Sequence, residues 1–130
     1  MSLCLVIMPL GKREELDDKT VTCYERLVFT QDYGIFAQIA DPGGKSAAPR
    51  EGIEAVVKTF PLPPNLFLEI YKDEGLKKTR QSPYGEELIY TFAENMCRLK
   101  LSEDASAKNK AIMAYIKALK PDTPIILEWR

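Results

Sequence analysis

The 130-residue chain contains no histidine. Histidine is the side chain whose unperturbed pKa lies nearest neutrality, so its absence excludes Ser/His/Asp and Cys/His nucleophile arrangements and removes the commonest transition-metal ligand. Cysteine is scarce as well: Cys4, Cys23 and Cys97 are widely spaced and odd in number, with no CxxC pair. Neither a zinc site nor a disulfide framework is implied, and free, mostly buried thiols point to a reducing, cytoplasmic setting. No apolar stretch approaches the roughly 18 residues that a membrane span requires. The apolar opening at residues 3–8 lacks a basic leader and runs into Pro9-Leu10-Gly11, so it does not read as a secretion signal. An excess of one charge is missing too. Lys and Arg number 18 against 19 Asp and Glu, a net charge of -1, so no global field gathers nucleic acid, which is disfavoured as a partner.

The residues present describe an ordinary globular domain. The 45% apolar and 28% charged content lies far from the polar, highly charged compositions that stay disordered. A chain of this length can bury one substantial core, so residues 1–130 are expected to form a single domain.

Hydrophobic spacing predicts the elements. Residues 3–8 form a continuous apolar run closed by proline and glycine, as in a strand buried on both faces. Residues 12–19 are too charged to offer a core face and read as a solvated turn. Residues 20–30 alternate and are rich in β-branched and aromatic side chains, and residues 35–40 alternate again. The intervening Gln31-Asp32-Tyr33-Gly34 resembles a hairpin connection, so these two strands should pair antiparallel. A breaker cluster at 41–46 opens a loop reaching Pro49. Ile53, Val56, Val57 and Phe60 have helical spacing over residues 51–60, with a β-branched strand as the alternative. Residues 62–65 form a stiff connector, 66–71 a strand, and 73–81 a charged turn.

Ser82-Pro83 looks like a helix start, and Leu88, Ile89, Phe92, Ala93, Met96 and Leu99 carry a helical stripe over residues 83–100. A second helix begins at Ser102 and buries Ile112, Tyr115, Ile116 and Leu119 before Pro121. Residues 125–129 close the chain as a strand. The fold class is therefore α+β, a single-layer and mostly antiparallel sheet of about five strands packed by two or three helices.

Motifs that resemble chemistry are thin. Gly43-Gly44-Lys45-Ser46 ends like a phosphate loop, but Ile39 stands where that loop needs a glycine. Glu51 and Glu54, at i and i+3, are the one carboxylate pair that could face a common cleft. Cys97 sits near the wrong end of its predicted helix for thiolate stabilisation. Lys77, Lys78 and Arg80, flanked by Tyr71 and Tyr84 and followed by Ser82, form a basic turn that reads first as a solvated loop, with an anion or partner contact as the alternative. Ile125, Leu127 and Trp129 lie in a final strand that could pair with another chain if it stands at a sheet edge. No cofactor or metal is implied. These features favour a small non-enzymatic binding or assembly domain that meets a protein partner or a second copy of itself. The alternative is a small enzyme using carboxylate or thiol chemistry, and a small-molecule ligand stays open.

Overall fold

The computed structural model describes residues 3–72 and 75–130. Along the chain come β1 (Leu5–Pro9), a 3-10 turn (Arg13–Asp17), β2 (Thr20–Thr22), β3 (Leu27–Val28) and α1 (Tyr33–Phe36). Then follow β4 (Phe60–Pro61), β5 (Phe67–Lys72), β6 (Gly75–Thr79), β7 (Ile89–Phe92), α2 (Ala93–Met96), α3 (Ala107–Ala118) and β8 (Pro124–Trp129). A wholly antiparallel five-stranded sheet has the order β3-β1-β8-β7-β4, and a second sheet has the order β2-β5-β6. The fold is α+β, as expected, but the second sheet adds a layer that the sequence reading lacked.

The two central strands explain the layering. In β1 the residues Leu5, Val6, Ile7 and Met8 are all fully buried, which requires cover on both faces of the sheet. On one face Leu5, Ile7, Ile125 and Leu127 pack with the helical side of the molecule, among them Phe36, Met96 and Ile116. On the other, Val6, Met8 and Ile126 meet Val21 and Leu68 of the small sheet together with Leu62, Leu66 and Leu88. Each such side chain contributes roughly 1.5–3 kcal/mol on burial, so neither face could be left to water. No helix among the described residues is long and apolar enough to cross a membrane.

Several predicted elements take another form. The strand expected over residues 20–30 is split. Thr20–Thr22 lies parallel to β5, while Leu27–Val28 pairs with β1, and the intervening residues cross between sheets. The hairpin and strand expected over 31–40 are replaced by α1. Asp32 caps it, its carboxylate accepting from the Ile35 amide at 3.2 Å, and Ile35, Phe36 and Ile39 then share a buried helical face. An aspartate suits a turn and a helix cap equally, and the cap wins because it buries Phe36.

Residues 51–60 contain no helix. Gly52, at φ 79, turns the chain in a conformation open to glycine, and Val57 bridges to Ile39 before Phe60 enters β4. The β-branched alternative is the nearer description. The charged turn expected over 73–81 is in its described part strand β6, antiparallel to β5; Asp73 and Glu74 lie outside the described residues.

The helix expected over 83–100 is a turn, a strand and one helical turn. Gly85, at φ 84, sits in the turn, and Ile89, Tyr90, Thr91 and Phe92 pair with β8 as β7. Those four residues are β-branched or aromatic, a composition suited to a strand, and pairing with the buried β8 outweighs the helical spacing. The last helix starts later than Ser102. Ser106 is its cap, accepting from the Asn109 amide at 3.1 Å, so Glu103 and Asp104 precede it. Met113 joins Ile112 and Ile116 on its buried face, while Tyr115 is 36% exposed.

Asn109 ties α3 to the end of β3. It is 1% exposed, its Oδ1 accepts from the Thr30 amide at 2.8 Å, and its Nδ2 donates to the Thr30 carbonyl at 3.0 Å. Asn109→Ala removes both bonds and should cost about 1–3 kcal/mol in denaturant unfolding, whereas exposed Asn65→Ala should change stability by about 0.5 kcal/mol at most.

Candidate functional site

The expected basic turn is dispersed. Lys77 and Lys78 lie on β6 and are exposed, and Lys78 stands 4.0 Å from Glu69 on β5. Arg80 is a structural residue. Its guanidinium donates to the carbonyls of Pro63 at 2.6 Å, Leu66 at 2.5 Å and Leu62 at 3.2 Å, and it stacks over the Phe67 ring. The turn at 62–66 thereby exposes carbonyls that a single planar fork gathers. Ser82 starts no helix: it is buried, and its hydroxyl oxygen accepts from the amides of Tyr84 at 3.2 Å and Glu86 at 3.3 Å. Tyr84 is 75% exposed.

The final strand is not an edge. β8 is paired by β1 on one side and β7 on the other, so its backbone groups are spent within the main sheet. Ile125 and Leu127 are core residues, and Trp129 meets Phe36 edge to face at 5.3 Å. Strand addition at Ile125, Leu127 and Trp129 is therefore closed off.

What the last strand does bring is charge to an interior boundary. Strand alternation places Glu128 and Arg130 on the face opposite Trp129, toward the small sheet. Glu128 is 6% exposed. Its Oε2 accepts from Arg26 Nη2 and its Oε1 from Arg130 Nε, each at 3.1 Å. A carboxylate taken out of water costs several kcal/mol, and here each oxygen receives one guanidinium in compensation. Two positive side chains thus face one negative one.

These groups line a cleft of about 280 Å³ between the sheets. Arg26 enters from the β2–β3 connection, Thr79 from β6, Gln81 and Ser82 from the segment after it, and Glu128 and Arg130 from β8, over a floor of Leu68, Ile70 and Leu88. Of the residues singled out from sequence, only Ser82 belongs here. Arg26, Glu128 and Arg130 were missed, although two charges at i and i+2 in an otherwise apolar strand were a visible sign of a polar site under the sheet.

The other motifs stay apart from the cleft. In the glycine loop, the amide of Lys45 donates to Asp41 Oδ1 at 3.0 Å and that of Gly44 to the Asp41 carbonyl at 2.9 Å. Asp41 thus occupies donors that a phosphate would need. Glu51 and Glu54 are exposed. Cys4, Cys23 and Cys97 are free and half-buried. Burial, with a smaller contribution from Glu15, pushes the Cys23 thiol from 9.0 up to about 12, against a weak opposite pull from Arg26. That thiol is protonated near neutrality and is a poor nucleophile.

Two measurements follow from this arrangement. Arg80→Ala should destabilise the protein by about 2 kcal/mol or more, since it strands carbonyls held by a charged donor, while Lys77→Ala and Lys78→Ala should each change stability by about 0.5 kcal/mol at most. The native fold keeps Cys23 protonated, whereas an unfolded chain loses that proton above pH 9.0. Stability should accordingly hold below pH 9 and decline as pH rises toward 12, and Cys23→Ala should make the fall in melting temperature shallower. Set against protein-family models, curated proteins and solved structures, the chain matches none of them.

Proposed function

We propose that this chain is a small non-enzymatic binding domain that takes an extended segment of a partner protein onto the open edge of β6. The observation that carries the proposal is the place of β6, a five-residue strand at the outside of the β2-β5-β6 sheet. In an antiparallel pair alternate residues direct their backbone groups toward the partner strand, and the remainder point outward, available to a further strand. The other outer strands suit this less. β3 and β4 have two residues each, β4 contains Pro61, and β2 has three residues.

Charge selects the occupant. Within β6, Lys77 and Lys78 carry positive charge and no residue carries negative charge. A second copy of β6 laid alongside would bring lysines opposite lysines, a destabilising arrangement, whereas a segment with acidic side chains is complementary. Lysine on an edge also discourages indiscriminate pairing, in keeping with a selective partner. Leu76, 48% exposed, offers an apolar contact in the same strand. An enzyme using carboxylates or thiols draws less support, since Glu51 and Glu54 are exposed and the Cys23 thiol is pushed up to about 12.

Hydrogen exchange with an acidic, strand-forming hexapeptide of alternating glutamate and threonine tests the reading. The peptide should slow exchange at outward β6 amides, and Lys77→Glu with Lys78→Glu should remove that effect while leaving the circular dichroism unchanged. No added protection at saturating peptide would overturn it. A concentration-dependent dimer in light scattering, with β6 protected in the absence of peptide, would overturn it in favour of self-association.

A further inference from the structure

We infer that the cleft between the two sheets is a second site, independent of the β6 edge, that binds a small carboxylate carrying a short apolar tail. Three features of the cleft converge on this ligand. The first is the balance of side-chain charges: Glu128 is met by two guanidiniums, Arg26 and Arg130, so two positive side chains face one negative one. The second is unused donor capacity. Each guanidinium has five N–H groups, and Arg26 bonds Glu128 through Nη2 alone and Arg130 through Nε alone, with no other protein acceptor among the described residues.

Their side chains are 43% and 36% exposed and line the cleft, so both remain accessible from it. The Ser82 hydroxyl adds another donor: its oxygen accepts two amides, and its own proton has no protein acceptor among the described residues.

The third feature is the floor. Leu68, Ile70 and Leu88 present hydrocarbon beneath the charged rim. A ligand with a charged head and an apolar tail satisfies both levels, the head meeting guanidinium forks whose geometry suits a carboxylate. The size bounds the tail. At about 280 Å³ the cleft lies just under the range of about 300–1,000 Å³ typical of ligand sites, so the ligand is a small one. Glu128 fixes both arginines in place and also sets a limit on affinity, since its own charge repels the incoming one.

That double position of Glu128 makes the site separable from a purely structural cluster. Butyrate should give saturable shifts in heteronuclear NMR at the Arg26 and Arg130 Nε–H groups and at the Gln81 and Ser82 amides, while neutral butyramide should give none. Arg26→Ala and Arg130→Ala should each weaken butyrate by about tenfold, the loss of a charge-assisted bond. Glu128→Gln should tighten it severalfold, because a repelling charge is removed while the remaining amide oxygen still holds one guanidinium in place.

A structural cluster predicts lower stability in Glu128→Gln with no gain in butyrate affinity. Should that buried substitution prevent folding, Arg26→Lys, on an exposed side chain, keeps the charge but loses the fork and should still weaken binding. Equal shifts from butyrate and butyramide, or arginine variants that bind as the wild type does, would overturn the inference. Peptide protection at β6 is read on different amides, so either site can fail without the other.

Discussion

The pairing of β1 with β8 is the constraint on which the rest of the structure depends. Five residues of each strand are in register, and eight consecutive-run positions within them, Leu5 to Met8 and Ile125 to Glu128, are buried whichever face they point to. A sheet whose two middle strands are buried on both faces needs a layer on each side. The helices supply one. The small β2-β5-β6 sheet, with the connectors around it, supplies the other, and this second layer creates the inter-sheet boundary where Arg26, Glu128 and Arg130 meet.

That boundary has an apolar centre and a charged margin. Val6, Met8 and Ile126 meet Val21 and Leu68 at the centre, and Glu128 occupies the next outward-alternating position on the same face of β8. A carboxylate there would be costly alone. Arg26 reaches it only because the chain breaks after β2 and crosses between sheets before β3, and Arg130 reaches it because it follows Glu128 by two residues. Arg80 performs a different task nearby, holding the carbonyls of the 62–66 turn so that Leu62 and Leu66 can enter the core. Basic residues close in sequence thus divide between scaffold and surface: Arg80 is spent on carbonyls, while Lys77 and Lys78 lie exposed on β6.

Much of the architecture was legible from residue pattern where one signal dominated. The doubly buried first strand, the closing strand, the strand before Lys72 and the long helix through Ile112 and Ile116 all follow from local runs and spacing. Legibility failed where two patterns coincide. Leu88, Ile89, Phe92, Ala93 and Met96 repeat like a helix, yet Leu88 packs toward the small sheet and Ala93 and Met96 toward the helical side. A helix cannot send its stripe to both faces of a sheet, but a strand followed by one helical turn can. Asp32 could open a hairpin or cap a helix, and only the pocket that receives Phe36 distinguishes them.

By itself the sequence determined what is local and what is excluded: no imidazole chemistry, an α+β set of elements, and two charges placed two residues apart at the end of an apolar strand. Tertiary structure alone decided the partners of those charges and the edges of the sheets. Strand order is a long-range property, set by which burials can be satisfied together, so the closing strand became central and β6 became the outer one. For the same reason Arg26 and Glu128, 102 residues apart, came to share one cleft that no spacing along the chain encodes.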